Sequence, residues 1–153
     1  YWTGQHVWDQ QVTNAANLGL GLLKPALDAL VAAGHDHGGP TIFPPWVTPE
    51  NPGGKRWGQG CLLDAPRQGV AHTFVADVSG LKRVELVLRT QEGESRLAMR
   101  SQGPYPSQTG ARVTADYLTA DLPIGVGDIR YYIEAEDRLG NVSRGALERI
   151  WLA

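Results

Sequence analysis

The clearest alternation of apolar and polar positions lies near the C-terminus. Ile129, Tyr131, Ile133 and Ala135 alternate with Arg130, Tyr132, Glu134 and Glu136. That period of two puts one face on a core and the other in water. Residues 137–141, Asp-Arg-Leu-Gly-Asn, are types that tolerate positive φ and side-chain-to-backbone turn bonds. Residues 142–152 resume an extended run, so the sequence predicts a β-hairpin closing an antiparallel sheet. Upstream, Val70, His72, Phe74, Ala76 and Val78 form an apolar face that alternates with Ala71, Thr73, Val75 and Asp77. Ser79-Gly80 turns the chain, and Val84, Leu86 and Leu88 give the next apolar face. Leu97 and Met99 mark a short strand, 101–110 reads as a loop, and 111–122 is extended. About six or seven short strands at even spacing predict a β-sandwich over 69–153.

The N-terminal third has a different period. Asp9 is an N-cap for a helical stretch in which Val12, Ala16, Leu20, Leu23, Leu27 and Leu30, with Val31, fall three or four apart. Gly19 and Gly21 weaken the helix by roughly 1 kcal/mol each relative to alanine. Pro25 predicts a kink or a split into two helices. Gly34 ends the helix as its C-cap residue. This apolar stripe, on the 12–31 face, needs a partner surface: the sheet of this chain, the rest of a longer parent protein, or another chain. Residues 35–68 show no period and hold Pro40, Pro44, Pro45, Pro49, Pro52 and Pro66. Such a long irregular connection is unusual within a domain. Its Ile42, Phe43, Trp46, Val47 and Trp57 argue against disorder. The segment therefore reads as an ordered strap, and the chain divides into a helical part (1–34), a Pro/Gly-rich strap (35–68) and a sandwich (69–153).

Composition narrows the function classes. Fourteen basic and sixteen acidic residues leave a net charge of −2, which gives no footprint for nucleic acid or an anionic membrane. No run approaches the ~20 apolar residues of a membrane helix. Cys61 is alone, so no internal disulfide forms. A start at Tyr1 without Met is expected of a piece of something longer.

Catalytic patterns are missing. There is no G-x-S-x-G elbow, and Gly53-Gly54-Lys55 lacks the spacing of a phosphate-binding loop. Glu134 and Glu136 read as a solvated surface. His35, Asp36 and His37 have metal-ligand chemistry, but a site needs three or four convergent ligands and this glycine-flanked trio reads first as a solvated turn. Asp-rich calcium loops are absent; Asp137 and Asn141 could supply oxygen ligands, but a hairpin turn is the first explanation for them. Asn141-Val142-Ser143 is a glycosylation sequon. No cofactor is called for.

Five tryptophans are many for this length, and Trp2, Trp8, Trp46 and Trp57 lie outside the predicted strands. Exposed rings of this kind stack on sugars, which makes the four candidates for carbohydrate contact. The plainer reading is that they anchor irregular segments onto the core.

Two resemblances add to this. The pattern from Ile129 to Asn141, I-x-Y-x-I-x-A-x-D-x-x-G-N, resembles the last hairpin of immunoglobulin-like and fibronectin-III-like sandwiches, which would make Tyr131 the core tyrosine of the penultimate strand. The stretches 1–19 (YWTGQHVWDQQVTNAANLG), 44–60 (PPWVTPENPGGKRWGQG) and 131–152 (YYIEAEDRLGNVSRGALERIWL), with 74–90 between them, resemble the C-terminal part of bacterial proteins related to glycoside hydrolase family 57. Members of that family carry a nucleophilic glutamate and an acidic aspartate in an upstream barrel. Neither motif has a counterpart here, so no catalytic residue carries over. The resemblance implies a non-catalytic accessory fragment of a protein acting on polysaccharide, with a structural or carbohydrate-contacting role; the compartment stays open, a secreted or cell-envelope location being one option. The rival is a sandwich-type protein-interaction module with no carbohydrate chemistry. A metal enzyme built on His35 and His37 has the least support.

Overall fold

The computed structural model describes residues 19, 21–50, 52–54, 56–57, 61–62, 67–105, 115–125 and 127–152. Residues 21–32 are helical (α1). Gly34, at φ 73°, ends this helix: its N–H donates to the Val31 carbonyl and the His35 N–H to the Leu30 carbonyl. This pair of reversed bonds satisfies the last carbonyls in the way the left-handed glycine cap does. The helix runs through Pro25 without a break, where the sequence predicts a kink or a split. The residue is exposed, and water can serve the carbonyl that its missing amide leaves unpaired.

Twelve strands follow among the described residues. They are β1 (Thr41–Ile42), β2 (Trp46–Thr48), β3 (Arg56–Trp57), β4 (Cys61–Leu62), β5 (Val70–Ala76), β6 (Leu81–Thr90), β7 (Gly93–Ala98), β8 (Arg100–Tyr105), β9 (Ala115–Asp121), β10 (Gly127–Asp137), β11 (Val142–Arg144) and β12 (Glu148–Leu152). Apart from the small β3–β4 pair, they form two antiparallel sheets. The first runs β1-β5-β9-β8, with β2 also on β5; the second runs β11-β10-β6-β7, with β12 also on β10. Each sheet therefore ends in an edge strand broken in two, which shortens the open edge available to other chains. The chain crosses between sheets after β5, after β7 and after β9, and the fold is an immunoglobulin-like β-sandwich.

Residues 41–48 belong to the predicted strap, yet they pair with β5 as β1 and β2. Ile42 and Val47 pack against the core from there. Further along, the backbone at Gly53 lies so close to Trp151 that a Cβ would overlap the indole, and its N–H donates to the Trp151 carbonyl. Glycine is needed there for the approach rather than for flexibility.

The core lies between the sheets and includes Val75, Leu86, Leu118, Leu122, Ile129 and Ile133. Tyr131 and Ile133 point inward as the alternation predicts, and so do Val84, Leu86 and Leu88. On β5 the faces are the reverse of the apolar pattern. Ala71, Thr73 and Val75 are fully buried, whereas His72 and Phe74 point outward. Met99 alone separates β7 from β8, and its N–H donates to the Val84 carbonyl as the chain changes sheet.

Candidate functional site

The reversal on β5 creates the most distinctive surface of the molecule. Register places Trp46 of β2 opposite His72, and Phe74 opposite Tyr117 of β9, all on the outer side of the first sheet. The Trp46 and His72 rings lie 5.2 Å apart with planes within 11°. Tyr117 is parallel to both, at 5.9 Å from His72 and 6.1 Å from Trp46. Phe74 tilts against Trp46 and Tyr117 at 5.4 Å from each. Contacts of this geometry are worth about 0.5–1.5 kcal/mol each beyond burial.

Hydrogen bonds fix the imidazole at both nitrogens. His72 Nε2 lies 2.6 Å from Thr48 Oγ1, and Nδ1 lies 2.7 Å from the Tyr117 hydroxyl. Burial pushes the His72 pKa down, so the ring is neutral at pH 7 and one nitrogen donates while the other accepts. The chain of hydroxyl, imidazole and hydroxyl has the connectivity of a nucleophile and base. A phenol stands where a triad has its carboxylate, however, and it cannot stabilise an imidazolium in the same way. The arrangement holds rings and hydroxyls in place. Around the rings lie polar groups: Gln102 Nε2 donates to Thr119 Oγ1 at 3.0 Å, and Arg100 pairs with Asp121 at 2.7 Å.

The outer face of the second sheet is built in the opposite way. Glu134 takes Arg96 at 2.7 Å and Arg144 at 2.8 Å; Glu85 takes Arg83 at 2.5 Å and Arg96 at 2.9 Å. Glu136 takes Lys82 at 2.6 Å and Arg83 at 3.1 Å. The Arg89 guanidinium sits 5.0 Å from the Tyr132 ring. Glu134 is therefore only 6% exposed, not the solvated side chain that alternation suggests. Hydrogen bonding to Arg96, then to Arg144, holds its carboxyl below the usual carboxylate range despite burial. This face is closed by its own ion pairs.

The residues singled out in the sequence fare differently. Trp46 joins the aromatic face and is 38% exposed. Trp57 lies in β3, and Trp2 and Trp8 lie outside the described residues. His35 and His37 are exposed and join no group of three candidate metal ligands among the described residues. Asp36 instead comes together with Asp77 and Asp137. Burial raises the Asp137 pKa, but the Asn141 amide and the N–H groups of Asn141, Leu139 and Gly140 outweigh it and hold the carboxyl low. The Asn141 side chain donates to Asp137 Oδ2 at 2.7 Å and to the Asp36 carbonyl at 3.1 Å, so the sequon's acceptor nitrogen is already engaged. Of the helix stripe, Val12, Ala16 and Leu20 lie outside the described residues; Leu27 and Val31 are half-buried, while Leu23 and Leu30 are 58% and 50% exposed. Among the described residues no helix is long and apolar enough to cross a membrane.

His72, Phe74 and Tyr117 had no functional reading in the sequence. Their signal was an aromatic set on alternate positions of two strands, which periodicity assigns to a core as readily as to a surface.

No family model matches the chain, and no curated protein matches it. Among solved structures it is similar to the human pre-T cell receptor, at 16% identity over 74% of this chain and 97% of that chain, with a TM-score of 0.35. The sandwich assignment rests on the strand topology, to which so low a score adds nothing. Nothing in these comparisons supports the resemblance to glycoside hydrolase family 57.

Proposed function

We propose that the chain is a non-catalytic, immunoglobulin-like interaction module that binds a protein partner through the outer face of its first sheet. The observation that carries this reading is the asymmetry of the two outer faces. One is sealed by interlaced arginines and glutamates, and the other presents Trp46, His72, Phe74 and Tyr117. Aromatic residues inside a polar rim have the composition of a protein-binding patch, in which rigid rings supply contact area at low entropic cost. The test is selection of binding peptides on the folded chain. Selected peptides should lose affinity for Trp46→Ala and Tyr117→Ala while both variants keep the fold; peptides indifferent to both substitutions would rule this face out.

Carbohydrate contact is the second reading, favoured by one feature. The half-exposed Trp46 ring lies beside the hydroxyls of Thr48 and Tyr117, both held by His72. A flat ring next to fixed hydroxyls suits the apolar face and hydroxyl edge of a sugar. On this reading the chain is an accessory to a polysaccharide-acting protein, with 1–34 belonging to the region before the sandwich. Calorimetric titration with soluble glucan oligosaccharides separates the two: heat that disappears in Trp46→Ala favours the sugar.

A further inference from the structure

Three loops meet at one end of the sandwich, and each delivers a carboxylate. Asp36 lies between α1 and β1, Asp77 directly follows β5, and Asp137 is the last residue of β10. One oxygen from each lies within 4.8 Å of the others. None of the three makes an ion pair with a basic group among the described residues.

Most of the surrounding hydrogen bonds orient these groups without neutralising them. Asp77 Oδ1 accepts from the Ser79 N–H at 2.8 Å and the Ser79 hydroxyl at 2.6 Å. Asp137 is fully buried; its Oδ1 accepts from the N–H groups of Leu139 and Asn141, each at 2.8 Å. Asp36 Oδ1 accepts from the Gly38 N–H at 3.1 Å. The second, independent observation is Asp36 Oδ2. This oxygen is shielded from solvent and has no hydrogen-bond partner. A buried anionic oxygen without a partner is strongly unfavourable unless something else meets it. Two further carboxylates close by make the need for positive charge greater.

The donor set selects the ion. All the convergent donors are hard oxygens, with no imidazole or thiolate among them, which disfavours zinc and favours calcium or magnesium. Coordination habit separates those two. Magnesium demands near-ideal octahedral geometry and keeps several waters, whereas calcium accepts irregular clusters of protein carboxylates at about 2.3–2.6 Å. Three carboxylate oxygens within 4.8 Å of one another lie inside the reach of one calcium shell.

We propose that Asp36, Asp77 and Asp137 form a calcium site that ties the segment before β1 to two loops of the sandwich. Asn141 acts as a positioning residue, because its amide joins the Asp36 carbonyl to Asp137. Close packing brings the same segment alongside: a Cβ at Gly39 would overlap Ser143 and the backbone of Val142. Bound calcium would therefore set how the helix leaves the sandwich.

The test uses the whole chain, stripped with chelator and titrated with CaCl2 alone or MgCl2 alone. Calcium should raise the thermal midpoint at up to about 10 mM, a span that includes the weak affinities of extracellular calcium modules. Magnesium should do much less. Asp36→Asn and Asp77→Asn should abolish the calcium response while keeping a cooperative unfolding transition. Equilibrium dialysis of the wild type should find one calcium per chain, a measurement that stands even if a variant fails to fold. No calcium response with no bound ion in dialysis, or an equal response in both variants, would overturn the proposal.

Discussion

The Trp46 indole stacks 5.2 Å from the His72 imidazole across a strand pair that joins two very different parts of the sequence. Trp46 comes from a proline-rich stretch without periodicity, and His72 from a regular strand. The contact makes the irregular segment part of the sandwich face. Trp46→Ala should cost about 1–2 kcal/mol, since the ring is part exposed and loses stacking more than burial. Chemical denaturation measures this, and a loss above about 4 kcal/mol, in the range of fully buried aromatics, would mean that the ring is a core element.

His72 gives that face a pH dependence. Its folded pKa lies below the unfolded value of about 6.5, so the unfolded chain takes up the proton first as the pH drops. Stability is intact above that value and falls as the pH decreases through the window between the two pKa values. Thermal midpoints from pH 8 to pH 5 should show this fall, and His72→Gln should flatten it.

Ile133 tests the core. It is fully buried at the centre of β10, opposite Leu86 of β6. Ile133→Ala should destabilise the fold by about 2–5 kcal/mol through lost burial and a residual cavity. An unchanged denaturant midpoint would show the strand's faces to be reversed.

Glu134 tests the opposite face. Glu134→Gln removes the charge that Arg96 and Arg144 share, with Arg83 3.8 Å away, and should cost about 2 kcal/mol at neutral pH. Because its folded pKa is depressed, this contribution is present above the ordinary glutamate value and is lost as the pH falls through the folded pKa. Wild type and variant should therefore converge in stability in acid.

The exposed part of the helix stripe predicts association. Leu23 and Leu30 leave apolar surface in water, which drives contacts between molecules. Sedimentation of the isolated chain should show concentration-dependent self-association. Leu23→Glu combined with Leu30→Glu should shift it to monomer.

The sandwich was legible where one face is apolar and the other polar. In β10, Arg130, Tyr132 and Glu134 alternate with Ile129, Tyr131 and Ile133, and the inward face followed directly, although the outer face is closed by ion pairs rather than open to water. In β5 both faces are apolar, and size misleads: the sheets close over the small side chains of Ala71, Thr73 and Val75 and leave the larger His72 and Phe74 outside. Strands β1 and β2 have two and three residues around Phe43-Pro44-Pro45, too few for any period to show. The candidate sites were legible only in fragments. Trp46 stood out as an aromatic without a strand, but its neighbours looked like core. Asp36 and Asp137 each stood out as a ligand type. Their convergence with Asp77 depends on strand ends that are far apart in sequence, and spacing along the chain cannot show that.

The passage between the sheets at Met99 limits how this chain can vary in length. With one residue joining β7 to β8, there is no slack to absorb an insertion. A single added residue would exchange the inward and outward side chains of β8 up to the irregularity in its pairing after Ser101, because side chains alternate with a period of two. The Gln91-Glu92 turn faces no such demand, since its backbone is exposed and its strands can lengthen together. Length variation among homologous chains should therefore gather at that turn and leave the passage at Met99 constant.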